Sequence, residues 1–174
     1  LRRTAAALAP GFDRIRAELG IPGAFPPAAE AEARAARISP GARSDRRDVD
    51  LLTLDPEGSR DLDQALAILA GEGGGTRIHY AIADVAALVE PGGAIDAEAR
   101  ARGVTIYMPD GRVPLHPPAL GEGSGSLLPG EDRPALLWTI DLDARGEVVG
   151  ADVQRATPRS RRALSYAEAQ AAID

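Results

Sequence analysis

Three closely spaced aspartates are the side chains of this sequence that are best placed to do chemistry. They lie in the segment Leu54-Asp55-Pro56-Glu57-Gly58-Ser59-Arg60-Asp61-Leu62-Asp63-Gln64-Ala65. An apolar run ends at Asp55, and the proline and glycine that follow it favour a turn. Asp61 and Asp63 are separated by one residue, so they share a face wherever the chain is extended. Three converging carboxylates repel one another unless a divalent cation neutralises them, and hard oxygen ligands suit Mg²⁺ or Mn²⁺.

A carboxylate-rich metal site has a well-defined use in phosphodiester hydrolysis. Two cations about 4 Å apart can activate a water molecule and stabilise the leaving oxygen during in-line attack. The alternative is structural, because aspartate is common in turns and at helix caps, and the spacing alone fits that role as well. A calcium loop of the EF-hand type is disfavoured, since its alternating acidic ligands and final glutamate are missing.

Composition sets limits on the kind of protein. The chain of 174 residues suits one domain with at most a short appendage, and it contains no cysteine, which excludes disulfides and cysteine-ligated metals. No apolar run approaches the roughly 20 residues that span a bilayer, and no convincing signal peptide is present, so we expect a cytoplasmic protein without membrane contact. The net charge of −6 argues against a free-standing nucleic-acid binder.

Hydrophobic periodicity divides the chain into a helical start and a strand-rich remainder. Residues 1–44 predict a short helical N-terminal segment and linker, with two helices separated by the glycine and proline residues of positions 20–27. The second helix, around residues 28–38, is nearly all Ala, Glu and Arg and is predicted to lie on the surface. A helix is predicted at 94–102, before Gly103, and a long ordered loop with one helical turn at 108–134. Strands are predicted at residues 51–54, 65–69, 77–85, 136–142 and 148–153.

Several ordered motifs give the chain a family resemblance. The aspartate segment resembles the opening motif of the ribonuclease II/ribonuclease R (RNB) family of exoribonucleases. The resemblance continues through HYAIADV at 79–85, GGAIDAEAR at 92–100, GVTIYMPD at 103–110, VPL at 113–115 and SLLP at 126–129. It implies an α+β fold in which residues 45–174 form the N-terminal half of an RNB-type catalytic domain with mixed, largely antiparallel strands.

The resemblance also implies a function and its residues. Members of the family hydrolyse single-stranded RNA from the 3′ end with Mg²⁺ and release nucleoside 5′-monophosphates. Carried over by position, Asp55 and Asp61 hold metal, and Asp63 completes the catalytic set. Tyr107 falls where the family places an aromatic ring on the 3′-terminal base, a contact that contributes about 1–3 kcal/mol and tolerates any base. Asp84 is expected to be either a structural acceptor near the site or a strand-end cap.

Two departures from the family pattern qualify this prediction. Gln64 replaces a fourth aspartate, which removes one negative charge, although its carbonyl oxygen can still coordinate metal or orient water. The sequence therefore predicts weaker metal affinity, and a catalytically weakened RNA-binding or regulatory member of the family is the alternative. The chain also resembles only the first half of the domain. We expect the rest of the domain to supply arginines that contact RNA, and the 174 residues alone to be poorly active or inactive.

Other residues that attract attention have simpler explanations. The glycine run at 71–75 predicts a hairpin turn, since it lacks the Lys-Ser/Thr of a phosphate-binding loop. His79 and His116 have no partner histidine at ligand spacing and favour surface or packing roles. Trp138, inside an apolar run, is predicted to be a core residue. The three arginines at 159, 161 and 162 fit either a phosphate-binding patch or a solvated charge run.

Overall fold

The structure is a computed structural model that describes residues 2–39 and 41–174, with side chains from residue 9 onward. The helices are α1 (Arg2–Glu18), α2 (Pro27–Ala35), α3 (Ala94–Arg102) and α4 (Tyr166–Ile173). The strands are β1 (Ser44–Arg46), β2 (Leu52–Asp55), β3 (Gln64–Ala70), β4 (Thr76–Ala83), β5 (Ile106–Met108), β6 (Gly111–Val113), β7 (Ala135–Leu142), β8 (Val148–Pro158) and β9 (Arg162–Ser165). Short helical turns cover Val85–Leu88 and Leu120–Ser124.

A seven-stranded mixed sheet is the centre of the fold. Its strand order is β1-β8-β7-β4-β3-β2-β9. Neighbouring strands from β8 to β2 are antiparallel, whereas β1 pairs with β8 and β9 pairs with β2 in parallel. Strands β5 and β6 form a separate antiparallel hairpin. The predicted α+β fold with mixed, largely antiparallel strands is confirmed, and the division at residue 44 stays a prediction, with Leu1 and Pro40 outside the described residues.

The β3–β4 hairpin shows how local sequence builds the sheet. Gly73 and Gly74 have φ values of 60° and 81°, in the left-handed region that favours glycine. A side chain at Gly75 would place its Cβ only 2.1 Å from the carbonyl oxygen of Leu142, so glycine is also required by the close approach of β7. The predicted hairpin turn is therefore confirmed.

Small and aliphatic residues fill the main core. One face of the sheet turns toward this core, and its alternating alanines and leucines match the strand period of two. The buried members are Val49, Leu51, Leu62, Ala65, Ala67, Ala81, Leu127, Ala135, Leu137 and Ala156. Leu62, which lies between two of the candidate site aspartates, is thus anchored in this core.

Helix α2 lies on the surface, as predicted, but one side of it is buried. Ala29 and Ala33 are buried, and Ala33 belongs to a second apolar cluster that also contains Ile95 of α3. The Glu32 carboxylate accepts hydrogen bonds from the backbone N–H groups at the start of α3, at 2.6 Å from Ala94 and 3.3 Å from Ile95. Alanine serves equally well in a surface helix and at a tight helix–helix contact, so its pattern did not separate the two.

The prediction that Trp138 is a core residue is wrong. Its side chain lies on the face of the sheet opposite the core and is 37% exposed. Within residues 2–39 and 41–174, no helix combines the length and the apolar character that crossing a membrane requires.

Candidate active site

The loop between β2 and β3 places the aspartates. Strand β2 delivers Asp55 to its last position, where it pairs with Ser165 of the parallel neighbour β9. The backbone N–H of Ser59 then donates to the carbonyl oxygen of Pro56 at 3.1 Å, and Gly58 adopts a φ of 81°. This tight turn brings the chain back toward β3, with Asp61 and Asp63 just before the strand.

Ser126 fixes the part of the loop that carries Asp61 and Asp63. Its fully buried hydroxyl accepts from the Leu62 N–H at 2.9 Å and donates to the Arg60 carbonyl oxygen at 2.6 Å. The Leu127 N–H donates to the Leu62 carbonyl oxygen at 2.9 Å. Both backbone groups of Leu62 are therefore satisfied by one short segment of distant chain. In the sequence Ser126 is only one member of the motif SLLP, and its positioning role follows from its burial and its two hydrogen bonds in the structure.

Asp61 and Asp63 line a single cavity of about 350 Å³. Its walls combine apolar and polar side chains, among them Ile82, Val85, Thr105, Arg112, Leu115, His116 and Glu122. Asp55 lies instead on a neighbouring cavity of about 120 Å³, together with Ser165 and Glu168. The fold thus brings two of the three predicted aspartates into one cavity and leaves the third beside it.

The three aspartates are nevertheless close enough for their negative charges to repel one another. Burial and repulsion by Asp61 raise the pKa of Asp55 above its usual value. Burial of the Asp63 carboxyl also raises its pKa, repulsion by Asp61 and Asp55 adds to the effect, and Arg112 partly offsets it. Although Asp63 as a whole residue is exposed, its carboxyl is crowded by neighbouring protein atoms and by like charges. The site therefore carries a net negative charge.

Arg112 is the cation that meets this negative charge. It lies on β6, and its guanidinium forms ion pairs through Nη1 with Asp61 and through Nη2 with Glu122, the latter at 2.7 Å. Asp61 and Arg112 are 51 residues apart in sequence. Because the two residues are so far apart in sequence, no local sequence pattern predicts this contact.

Gln64 and Tyr107 occupy different surroundings. Gln64 begins β3, and its side-chain carbonyl oxygen accepts a hydrogen bond from the Tyr80 hydroxyl. Tyr107 lies on β5, is 73% exposed, and pairs across the hairpin with Arg112. It is not part of the cavity wall, but cross-strand partners project from the same side of a hairpin. Tyr107 therefore projects from the side of the hairpin that carries the Arg112 contact to Asp61.

The donor set can be compared with what a divalent cation requires. Carboxylates and an amide carbonyl are the hard oxygen ligands that Mg²⁺ and Mn²⁺ prefer. A bound cation would also relieve the mutual repulsion of the three aspartates. In the part of the chain that the structure describes, no three His, Asp or Glu residues are already gathered as a ligand set. The donor types fit a divalent cation. In its absence, the positive charge of Arg112 neutralises part of the negative charge of the site.

The remaining candidates have structural partners. The Asp84 carboxylate accepts from Arg43 Nη2 at 2.9 Å, with both side chains buried, and it makes no capping hydrogen bond. Of the two roles expected for Asp84, the structure therefore favours the structural acceptor. His79 is buried, with Nδ1 at 3.2 Å from Thr139 Oγ1, in agreement with a packing role. Arg159 and Arg161 pair with Asp132 and Asp50, each at 2.7 Å, so both are already engaged with carboxylates.

Comparison with known protein families places most of the chain in one family. The model of the RNB domain matches residues 43–174, which is most of the chain and includes every candidate site residue. This chain belongs to the RNB domain family.

Among curated proteins, "DIS3-like exonuclease 2" and "Inactive exonuclease DIS3L2", both of Arabidopsis thaliana, are each 42% identical to this chain over 132 residues. That alignment covers 76% of this chain and 12% of either relative. Ribonuclease R of Escherichia coli is 36% identical over 135 residues, which cover 78% of this chain and 16% of the relative. The chain thus spans only a small part of the length of these relatives.

A solved structure, "Mycoplasma genitalium RNase R in complex with ribose methylated single-stranded RNA", superposes with a TM-score of 0.87 at 27% identity. The match covers 94% of this chain and 26% of that protein. Helices α1 and α2 precede the residues that the family model matches, yet the structural match covers nearly the whole chain.

Proposed function

We propose that this chain carries the metal-binding part of a 3′→5′ exoribonuclease site that hydrolyses single-stranded RNA to nucleoside 5′-monophosphates. The observation that supports the proposal most directly is the placement of Asp61 and Asp63. Ser126 holds the residue between them, and both side chains line one cavity at the start of β3. Relatives named exonuclease and ribonuclease R support the reaction class, and the single-stranded RNA in the M. genitalium complex supports the substrate class.

Asp55, Asp61 and Asp63, with the amide oxygen of Gln64, would hold the Mg²⁺ or Mn²⁺. A bound divalent cation supplies activation of water and stabilisation of the leaving oxygen of a phosphodiester. Ser126 keeps the backbone of the Asp61–Asp63 segment in place, so cation binding would rearrange side chains and not this part of the chain. Ile82 and Val85 give the cavity an apolar wall beside the two aspartates.

Tyr107 is proposed to bind the 3′-terminal base. It is well exposed, and a ring in that state can accept a base on its face without first losing a protein contact. Stacking tolerates any base, which suits an enzyme that degrades RNA without regard to sequence. The net charge of −6 makes such non-electrostatic contacts more important, because the excess of carboxylates opposes the binding of phosphates.

A catalytically weakened RNA-binding member of the family is the second candidate. Gln64 stands in place of the fourth aspartate, and its carbonyl oxygen is engaged by Tyr80. The "Inactive exonuclease DIS3L2" of A. thaliana, which is as similar as the relative named an exonuclease, shows that loss of activity occurs within the family. This candidate predicts that RNA is bound and left intact.

The deciding experiment incubates the full-length natural protein with a 3′-overhanging RNA and Mg²⁺. Products that shorten stepwise from the 3′ end support the exonuclease, whereas RNA that is retained but uncut supports the weakened member. Asp63→Asn should lower the cleavage rate by at least about a hundredfold while RNA affinity stays within about twofold, since the residue acts on the reacting phosphate rather than on binding. Loss of affinity together with cleavage would show instead that Asp63 maintains the fold.

A further inference from the structure

Arg112 joins two acidic segments that are distant in sequence. It reaches from β6 to Asp61 in the loop before β3 and to Glu122 in the helical turn Leu120–Ser124. The three side chains are each about one-third exposed and line the same cavity, so the contact lies within the candidate site. The guanidinium holds two carboxylates at once, one through each of its terminal nitrogens, and both hydrogen bonds are strengthened by charge.

The Arg112–Asp61 contact uses the same atom that a cation would need. Nη1 of Arg112 donates to Oδ2 of Asp61, one of the two oxygens with which that carboxylate can coordinate metal. A divalent cation on this oxygen and a guanidinium in hydrogen-bond contact with it would bring two positive charges within a few ångströms of each other. Such an arrangement is unfavourable even in a partly solvated site.

We propose that Arg112 is a built-in counter-ion that competes with the divalent cation for Asp61. The ion pair stabilises the cation-free site, and the cation binds only as Arg112 leaves Asp61. This inference rests on the proposed metal-binding function of Asp55, Asp61 and Asp63. It adds that the cation affinity of the protein is set partly by a residue that is not a ligand.

Glu122 can keep the Arg112 guanidinium bound after that group has left Asp61. Glu122 binds Nη2 independently of Asp61, so Arg112 can leave one carboxylate while it keeps the other. The exchange then needs only a side-chain rearrangement and no movement of the β5–β6 hairpin.

Titration of the protein with Mn²⁺ by isothermal calorimetry tests the competition. Arg112→Gln should bind Mn²⁺ about tenfold more tightly than wild type, because the cation no longer has to displace a guanidinium, and tenfold corresponds to about 1.4 kcal/mol. Arg112→Lys keeps the positive charge and should stay within about threefold of wild type. The matched control is Arg77→Gln, which removes a comparable exposed arginine–aspartate pair, Arg77–Asp141 at 2.6 Å, away from the cavity. It should leave Mn²⁺ affinity unchanged.

Nuclear magnetic resonance gives a second reading that does not depend on affinity. The guanidinium signal of Arg112, assigned by its absence in Arg112→Gln, should shift on addition of diamagnetic Mg²⁺, while the signal of Arg77 should not. Circular dichroism of each variant checks that the fold is retained.

The outcomes separate this inference from the proposed function. Mn²⁺ binding that is equal in wild type and Arg112→Gln overturns the competition and leaves the metal site standing. Weaker binding in Arg112→Gln also overturns it, and would make Arg112 a positioning residue for Asp61. Absence of Mn²⁺ binding in every variant overturns both the competition and the proposed metal site.

Discussion

Gln64 is the residue at which this chain departs from the aspartate that the family resemblance leads one to expect. In the structure its carbonyl oxygen accepts from the Tyr80 hydroxyl, and both residues belong to adjacent strands of the main sheet. The substitution removes a negative charge beside Asp63, whose carboxyl is already crowded by Asp61 and Asp55. Glutamine therefore reduces repulsion in the cation-free site at the expense of attraction for the cation.

Replacement of this residue tests the trade-off. Gln64→Asp should lower the Mg²⁺ concentration needed for half-maximal cleavage by about three- to tenfold, because it restores one charged ligand. The measurement is a Mg²⁺ titration of RNA cleavage by the full-length protein. Tyr80→Phe is the control, since it frees the Gln64 carbonyl oxygen without adding charge and should shift the titration much less. Superimposable curves for wild type and Gln64→Asp would contradict the idea.

The raised pKa of Asp63 gives a prediction for stability. Because its folded-state pKa lies above the unfolded value, the folded chain holds this proton more tightly than the unfolded chain does. Stability is therefore gained as pH falls through the raised pKa, and at pH 7 the ionised carboxylate is a net cost in the absence of metal. Asp63→Asn should raise the Tm at pH 7 without Mg²⁺.

The increase in Tm caused by Asp63→Asn should disappear below the ordinary aspartate pKa of about 3.9. There Asp63 is protonated in the folded and in the unfolded chain, so both residue types are neutral. Thermal unfolding at pH 7 and pH 3.5 provides the comparison. Asp132→Asn is a matched control with the opposite sign, because its ion pair with Arg159 lowers the pKa of Asp132, so its removal should lower the Tm at pH 7. A lower Tm for Asp63→Asn at pH 7 would mean that Asp63 stabilises the cation-free fold.

At the scale of elements, the site depends on a contact between two loops. The Ser126 hydroxyl accepts from the N–H of the buried Leu62 and donates to the carbonyl oxygen of Arg60, and without it the Leu62 N–H would be buried with no partner. Ser126→Ala should reduce the free energy of unfolding by about 1–3 kcal/mol, the typical cost of unsatisfied buried polar groups. It should also lower cleavage, because the segment between Asp61 and Asp63 loses its anchor.

Ser124 offers a close control for this prediction. It lies two residues away, and its hydroxyl is buried with no hydrogen-bond partner in the structure. Ser124→Ala should therefore be neutral or slightly stabilising in urea unfolding, since it removes an unpaired polar group. Equal losses in the two variants would show that the effect comes from packing in this segment and not from the hydrogen bonds of Ser126.

How far the sequence predicts this fold depends on how local each signal is. Helix α3 matches its predicted bounds of 94–102, because Gly103 ends it with a φ of 76°. Strands β3, β4, β7 and β8 follow from alternation and glycine turns. Strand β9 was not predicted, since its Arg-Ala-Leu-Ser sequence has no period, and the parallel pairing with β2 is what makes it a strand.

The same distinction applies to the candidate site. The aspartates stand out in the sequence because three acidic groups lie within one short turn-forming segment. The Arg112–Asp61 contact joins residues 51 positions apart, and the cavity beside Asp55 is completed by Ser165 and Glu168, which are still farther away in sequence. The β5–β6 hairpin that carries Arg112 lies partly in a stretch whose prolines and glycines predict a loop, so this cation was not among the predicted site residues.

At the scale of the whole molecule, the main sheet has a second apolar face opposite the core. Cross-strand rows such as Leu66–Tyr80–Trp138–Val153 and Ile68–Ile78–Ile140–Ala151 continue across β3, β4, β7 and β8. Several of their members are well exposed, among them Ile68, Trp138 and Val153. Contiguous apolar surface of this kind usually marks a site where other protein packs.

This face should make the 174-residue chain self-associate and bind the dye ANS, which reports exposed apolar surface. Ile68→Lys, at a position that is 64% exposed, should reduce both effects, because a charge in the middle of the face opposes close packing. Val104→Lys is the matched control: it is 61% exposed but lies between α3 and β5, outside the sheet. Sedimentation velocity across a concentration series and ANS fluorescence are the measurements. If both lysine variants reduce association equally, added charge alone is responsible; if neither does, the face is not where the molecules meet.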